Sequence, residues 1–178
     1  MKDMIQDILL ESIQVKEDLL RTGVGRIKEI SDMVIDALRK DGKVLIFGNG
    51  GSASDSQHIA AEFIGRFKKD RGALAAIALT TNTSVLTSLA NDYGYDVIFA
   101  KQVEALGNKN DLVIAISTSG KAKNVIQGVK QAKKMNIKTA DVSLVVPSSV
   151  TARIQEAHIT ISHIICEIVE QTLCQDQK

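Results

Sequence analysis

The sequence predicts an α/β fold with a parallel sheet that is buried under helices on both faces. Four short apolar runs, at 43–47, 73–79, 111–117 and 142–146, alternate with stretches of helical periodicity. Continuously apolar strands, as opposed to alternating ones, are typical of a parallel sheet covered on both sides. The 178 residues fit one domain with a single sizeable core.

The first forty residues predict two helices that precede the sheet. Apolar residues recur at helical spacing on either side of a break at Thr22–Gly25, and Asp41-Gly42 ends the second helix. The apolar positions are Ile5, Ile8, Leu9, Ile13, Leu19 and Leu20 before the break, and Ile27, Ile30, Met33, Val34, Ala37 and Leu38 after it. Residues 1–40 are therefore N-terminal helices, and 41–178 form the α/β core.

Within the core, each predicted strand is followed by a helical stretch. The predicted strands are Lys43–Phe47, Ala73–Leu79, Asp111–Ser117 and Val142–Val146. The predicted helices are about Ser52 to Phe67, Ser84–Ala90, near Ile98–Ala105, Ala122–Lys134, and a long final helix from Thr151 to about Leu173.

One junction does not fit this alternation. Ile137–Ala140 begins like a strand, yet Val142 opens the next apolar run almost at once. Adjacent parallel strands need a crossover of roughly a dozen residues or more. Either the run that begins at Val142 pairs antiparallel with its neighbour, or a loop and a helix are missing near Thr139–Ala140. We favour the missing crossover as a hypothesis.

The composition argues against several classes of partner. A net charge of +1, 3% aromatic residues and no tryptophan give no electrostatic or stacking case for nucleic acid. No apolar run approaches the roughly eighteen residues of a membrane span, and the N-terminus has no apolar signal region. Cys166 and Cys174 have neither disulfide-framework nor zinc-finger spacing. These features predict a cytoplasmic protein.

Two strands end in loops of small residues that open helices, Phe47–Ser52 and Ile116–Gly120. Free N–H groups at a helix N-terminus bind anions, glycine permits close approach, and hydroxyls add donors. The alternative is a pair of ordinary turns with serine caps. Neither loop has the Gly-Lys-Ser/Thr of a Walker loop or the final glycine of a dinucleotide fingerprint, which favours a phosphate ester over a nucleotide.

His58, Glu62 and Arg66 lie four residues apart, on one stripe of the first crossover helix. The spacing by itself favours a solvated face with a weak Glu62–Arg66 ion pair. A histidine and a carboxylate at this spacing can also share a metal ion or divide proton transfers.

The last helix carries two histidines in different surroundings. Its apolar arc comprises Ile154, Ala157, Ile161, Ile164, Ile165 and Ile168. His158 falls at the edge of this arc, which predicts a packed and hydrogen-bonded core histidine. His163 lies near the opposite side and becomes a functional candidate only if another element covers that face.

Taken together, five segments resemble the phosphoheptose isomerase family of SIS-domain proteins. They are Gly48–Ser52, His58 through Arg66, Asn91-Asp92, Ser117–Gly120, and Arg153–His158 with His163. The resemblance implies a three-layer, flavodoxin-like parallel sheet and a homotetramer with active sites at subunit interfaces. It also implies conversion of sedoheptulose 7-phosphate to D-glycero-D-manno-heptose 7-phosphate through an enediol, for bacterial surface glycans.

The resemblance also implies roles for individual residues. Ser117, Thr118 and Ser119 would hold the phosphate, and Glu62 and His163 would be the catalytic acid–base pair. The sugar would be contacted by Asn49, Gly50, Gly51, Ser52, Glu62, Asn91, Asp92 and Gln155. One zinc ion per subunit would be bound by His58, Glu62, Gln155 and His163. Gln155 and His163 are eight residues apart, about 12 Å of helix rise, so shared ligation needs a long side-chain reach, a distorted first turn or a neighbouring subunit.

Two further points bear on the expected function. The family's phosphate loop usually continues Gly-Asn-Ser, whereas this chain has Gly120-Lys121-Ala122, which loses one donor and gains a cation. Some similar proteins bind replication initiators, but they lack residues that match Glu62 and His163. A sugar-phosphate sensor without turnover is the third reading, usually fused to a DNA-binding module that this sequence does not contain.

Overall fold

The computed structural model describes residues 1–138 and 142–174. Two helices precede the sheet, α1 (Lys2–Thr22) and α2 (Val24–Arg39). They meet at Gly23, where the predicted break lies. A side chain at Gly23 would place its Cβ 2.5 Å from the Leu19 side chain, so the tight junction requires glycine. The two predicted N-terminal helices are confirmed.

Among the described residues, the sheet has three parallel strands, β1 (Val44–Gly48), β2 (Ala76–Ala78) and β3 (Leu112–Ile116), in the order β2-β1-β3. This order begins the flavodoxin-like arrangement of a doubly wound sheet. All five residues of the central β1 are buried. An isolated parallel bridge between Lys138 and Leu112 lies on the free edge of β3, on the side where a fourth strand would follow.

Helices cover both faces, which confirms the predicted three-layer α/β class. They are α3 (Gly51–Ile64), α4 (Thr83–Tyr93), α5 (Ile98–Leu106), α6 (Lys123–Lys134) and α7 (Thr151–Leu173). Val44 and Ile46 of β1 face one core with α1, α2, α3 and α7, while Leu45 and Phe47 face the other core with α5 and α6. The period-two alternation of the strand places its successive side chains in these two cores.

The predicted strand at Val142–Val146 is wrong. Residues 142–150 contain no strand or helix, although burial alternates along them: Leu144 and Val146 contact the core while Val145 is 79% exposed. An extended segment becomes a strand only when a neighbour accepts and donates its ladder hydrogen bonds, and only three residues separate Lys138 from Val142. The hypothesis of a missing crossover at Thr139–Ala140 lies outside the described residues.

Two element ends also differ from prediction. β2 has three residues where the apolar run 73–79 predicted seven, and α3 ends at Ile64, before the predicted Phe67. The chain leaves α3 at Gly65, and the side chain of Arg71 binds carbonyls of the last helical turn. Because α3 ends before Arg66, the predicted Glu62–Arg66 pair across one helical turn does not form. Within the described ranges, no helix combines the length and apolarity needed to cross a membrane.

Candidate active site

The two small-residue loops lie side by side at the carboxyl edge of the sheet. β1 and β3 are neighbours, and Gly48 at the end of β1 is in register with Ile116 at the end of β3. A Cβ at Gly48 would lie 2.7 Å from the Ile116 carbonyl oxygen and 2.6 Å from the Ser52 Cβ. Only glycine allows the two strand ends and the start of α3 to approach this closely. The predicted meeting of the loops is confirmed.

A reciprocal pair of amide hydrogen bonds joins the loop after β1 to the first turn of α6. Nδ2 of Asn49 donates to Oδ1 of Asn124, and Nδ2 of Asn124 donates to Oδ1 of Asn49, both at 2.8 Å. Asn124 is 3% exposed, and its Oδ1 also accepts the N–H of Val125. The hydroxyl of Tyr95 reaches Oδ1 of Asn49 at 3.4 Å. Sequence reasoning missed Asn124 and Tyr95, because a single polar residue in a helix gives no sign of what it faces.

The loop after β3 is held in shape by its own hydroxyl groups. Oγ of Ser117 accepts the N–H of Gly120 at 3.1 Å, and Oγ of Ser119 accepts the N–H of Lys121 at 3.2 Å. Gly120 has φ +63°, a conformation that favours glycine. Since each hydroxyl accepts from the backbone, its own proton stays available to donate. The half-buried Thr118 completes this set in front of α6.

The loop after β1 is covered by α7. Gly50 has φ +56° and leads into Gly51, where a Cβ would lie 2.1 Å from Nε2 of Gln155. The amide of Gln155 therefore lies directly on the first turn of α3. Ser52, also in this turn, is 3% exposed, and its carbonyl accepts the Ser56 hydroxyl at 2.7 Å.

His58, Glu62 and His163 come together between α3 and α7. Nε2 of His58 lies 3.0 Å from Nε2 of His163 and 3.2 Å from Oε1 of Glu62. The phenyl ring of Phe67 contacts the His163 ring, with centroids 5.6 Å apart. The polar face of α7 that carries His163 is thus covered by α3. His163 therefore meets the requirement for a functional candidate, which was that another element cover its face of the helix.

The donor set of this cluster suits a zinc ion. One nitrogen from each histidine and one carboxylate oxygen all lie within 4.8 Å of one another. Zinc ligands at about 2.0–2.2 Å in tetrahedral geometry lie roughly 3.3–3.6 Å from each other, close to the 3.0 and 3.2 Å separations around His58. Two imidazoles and a carboxylate form a common three-residue protein set for zinc.

Gln155 does not join this cluster in the structure. α3 and α7 run side by side, so that Gly51 faces Gln155 and His58 faces His163. Gly51 precedes His58 by seven residues, or about 10 Å of helix rise. The Gln155 amide is therefore next to the small-residue loop, and Arg66 is exposed beyond the end of α3.

Asn91 and Asp92 lie exposed in the last turns of α4, where Nδ2 of Asn91 donates to Oδ1 of Asp92 at 2.8 Å. Among the side-chain contacts found in residues 1–138 and 142–174, none joins this pair to the two loops or to the histidine cluster. Their predicted contact with the sugar stays a prediction.

His158 departs from the predicted hydrogen-bonded core histidine. It is half-buried, and its Nδ1 is buried without a hydrogen-bond partner in the described part of the chain. Burial lowers the pKa of His158. The residue lines a largely apolar cavity of about 420 Å³, together with Ile161, Ser162 and the loop Ser117–Gly120. The cavity does not include His58, Glu62 or His163. These three residues lie between α3 and α7, on another side of α7.

Comparison with known proteins identifies the family. Residues 10–143 match the SIS domain model. Phosphoheptose isomerases of Thermodesulfovibrio yellowstonii and Aquifex aeolicus are 49% and 46% identical, covering 97% and 98% of this chain and 92% and 99% of their own. The structure of phosphoheptose isomerase GmhA from Neisseria gonorrhoeae superimposes with a TM-score of 0.89 at 38% identity, over 96% of this chain and 98% of that one. Taken with the loops and the histidine–carboxylate cluster, these matches show that the chain belongs to the phosphoheptose isomerase family of SIS-domain proteins.

Proposed function

We propose that this chain converts sedoheptulose 7-phosphate to D-glycero-D-manno-heptose 7-phosphate, a step that supplies bacterial surface glycans. The observation that carries the proposal is the cluster of His58, Glu62 and His163, assembled from two helices. Membership of the family supports the substrate, since relatives at nearly half identity are named phosphoheptose isomerases.

The phosphate group is bound by the loop after β3. Ser117, Thr118 and Ser119 donate from their hydroxyls, and the first turn of α6 adds free N–H groups and the positive end of its dipole. Lys121 is exposed beside this loop and replaces a donor that the family usually has there. Its ammonium group adds a charge-assisted contact to the phosphate.

The sugar lies against the loop after β1. Asn49, oriented by Asn124, presents its amide, and Gly50 and Gly51 allow the backbone to approach the hydroxyl groups. Ser52 and Gln155 complete this side. Asn91 and Asp92 contribute from α4, where they are exposed and available to a ligand.

Glu62 and His163 carry the proton transfers. Moving the carbonyl from C2 to C1 requires a base that takes the proton from C1 and an acid that protonates O2, which produces an enediol. The second half then returns a proton to C2 and removes one from O1. A carboxylate and an imidazole held on adjacent helices suit these roles.

His58, Glu62 and His163 would hold one zinc ion per subunit. A bound zinc ion stabilises negative charge on the sugar oxygens as it develops. Gln155 is proposed as the fourth ligand, which requires its side chain to move from Gly51 toward the histidines. A Gln155→Ala variant with unchanged zinc affinity would remove it from the ligand set.

The assembly is proposed to be a cytoplasmic homotetramer with active sites at subunit interfaces. The His58 side chain is 48% exposed in the single chain. One side of the cluster is therefore open to solvent, and a second subunit can cover it. α1 exposes a row of large apolar residues: Met4, Ile5, Ile8, Leu9, Leu10 and Ile13. Contiguous exposed apolar surface of this kind marks protein interfaces.

The alternative functions are a partner of a replication initiator and a sugar-phosphate sensor. The related initiator partners lack the carboxylate and the histidine that this chain has at Glu62 and His163. A sensor needs the phosphate loop but not a histidine–carboxylate cluster. The close approach of these side chains supports the enzyme over both alternatives.

The test is turnover of sedoheptulose 7-phosphate by the purified protein, before chelation, after chelation and after zinc is returned. We expect heptose 7-phosphate to form, to be lost on chelation and to recover with zinc. Absence of turnover in all three conditions, with the substrate still bound, would favour the sensor. Turnover that survives complete removal of metal would retain the isomerase and reject the zinc.

A further inference from the structure

A buried carboxylate on α7 holds the loop that follows α3. Glu170 is 1% exposed, and its two oxygens accept four hydrogen bonds. The donors are the N–H groups of Phe67 (3.1 Å), Lys68 (2.8 Å) and Lys69 (3.0 Å), and Nε of Arg71 (3.0 Å). Burial raises the pKa of Glu170, but these hydrogen bonds outweigh it and leave the pKa below its usual range.

The other end of Arg71 binds the last turn of α3. Nη2 donates to the carbonyl oxygen of Glu62 at 2.8 Å, and Nη1 donates to the carbonyls of Phe63 and Gly65 at 2.9 and 3.0 Å. Carbonyl groups at a helix C-terminus lack partners within the helix, so the guanidinium satisfies them. The side chains of Arg71 and Glu170 are only 4% and 2% exposed.

These contacts connect both halves of the histidine–carboxylate cluster. Glu62 is bound by Arg71 through its own carbonyl group. Glu170 follows His163 by seven residues, which places both on one face of α7, two turns apart. Phe67, whose N–H binds Glu170, puts its ring against His163.

A buried ion pair adds little stability compared with apolar residues of similar size. Its hydrogen bonds are directional, however, and here they join the last turn of α3 to α7. We propose that the Arg71–Glu170 pair is a positioning device that holds Glu62 and His163 in register for proton transfer and zinc binding. This inference rests on the proposed function.

The test compares Glu170→Gln with Asp111→Asn as a matched control. Asp111 is 2% exposed and accepts the N–H of Lys43 (2.9 Å), Nζ of Lys43 (2.6 Å) and the N–H of Asn108 (2.8 Å). It precedes β3, at the sheet edge opposite the proposed site. A double variant, Arg71→Met with Glu170→Met, removes both charges and so leaves no buried ion unpaired. Thermal stability, kcat, KM and zinc affinity by chelator competition are measured for each.

We expect Glu170→Gln and the double variant to lower kcat and zinc affinity by roughly 10- to 100-fold with KM nearly unchanged, the range seen when groups supporting a metal site are removed. Asp111→Asn should lose thermal stability but keep kcat and zinc affinity. Wild-type kcat and zinc affinity in a folded double variant would overturn the proposal, as would an equal loss of kcat in Asp111→Asn.

The zinc measurement separates this proposal from the proposed function. A wild-type protein that binds zinc without turnover would reject the isomerase, while the zinc affinities of the variants would still decide the role of the pair. A wild-type protein that neither binds zinc nor turns over substrate would overturn both.

Discussion

If Glu62 and His163 carry the proton transfers, as proposed, turnover depends on both side chains, because an enediol forms only when one group takes a proton from carbon and another delivers one to oxygen. We predict that Glu62→Gln and His163→Ala each lower kcat by at least about 100-fold, the lower end for loss of a general acid or base. The measurement is steady-state kinetics with sedoheptulose 7-phosphate, together with light scattering to check that each variant keeps the oligomeric state of the wild-type protein.

The matched control for these variants is Glu167→Gln. Glu167 lies on α7 near His163, but its carboxylate pairs with Lys68 at the surface. It should keep wild-type kcat. If either catalytic variant also keeps the wild-type rate, that residue has no part in proton transfer.

His158 should make stability depend on pH. Burial lowers its pKa in the folded chain, so the unfolded chain binds a proton more readily. Folding stability is then complete above the ordinary pKa of about 6.5 and declines as the pH falls below it. We predict that Tm falls between pH 7 and pH 5.5, and that His158→Asn reduces this decline. An identical pH profile in the variant would contradict the assignment.

At the scale of elements, the contact between the start of α3 and α7 depends on the missing side chain of Gly51. A methyl group there would displace the Gln155 amide, which is the end of a flexible side chain. We predict that Gly51→Ala keeps or raises Tm, since alanine favours helix, but raises KM about tenfold, the value of one hydrogen bond.

Gly25→Ala in α2 is the control for this change, because nothing lies within 4 Å of its added Cβ. It should leave both KM and kcat unchanged. If Gly51→Ala leaves KM unchanged too, the Gln155 amide does not contact the substrate.

At the scale of the whole molecule, the N-terminal helix has an apolar surface that stays exposed in the described part of the chain. Leu9 on α1 is 59% exposed. If this surface joins subunits, a charge there must be buried without a partner, which is costly. We predict that Leu9→Glu dissociates the proposed tetramer, measured by size-exclusion chromatography with light scattering. Leu106→Glu, at a 42% exposed leucine of α5, should not. A Leu9→Glu tetramer would place the interface elsewhere.

The difference in length between this chain and a relative concerns the irregular segment 142–150. The alignment with the Thermodesulfovibrio yellowstonii relative runs over 186 positions but covers 97% of this chain. Because 97% of 178 residues is about 173, about 13 residues of the relative have no counterpart here. We propose that they are the crossover missing near Thr139–Ala140.

Inserting the relative's extra segment between Thr139 and Ala140 should therefore add a strand at 142–146. The expected result is slower hydrogen exchange at the amides of Leu144 and Val146, together with a higher Tm, because a parallel neighbour would pair their backbone groups. A glycine–serine insert of equal length is the control. Unprotected amides in the first variant would show that the segment belongs elsewhere.

Local patterns predicted most of the elements but not all of their ends. The final helix was predicted as Thr151 to about Leu173, and α7 has these bounds. Its apolar arc repeats from Ile154 to Ile168, through about four turns. The run at 142–146 is as apolar as a strand, but a strand also needs a neighbour. The end of α3 depends on Arg71, which lies outside the helix and belongs to no periodic pattern.

The sequence by itself determined the α/β class, since the burial preference of side chains repeats with the period of a helix or strand. Its small-residue loops and the other motif segments carried the resemblance to the family. The tertiary structure decided which residues meet. His58 contacts His163 across 105 positions, and Asn49 pairs with Asn124 across 75. Such contacts form when helices and strands pack on a common core, and the local sequence pattern around a residue does not predict its distant partner.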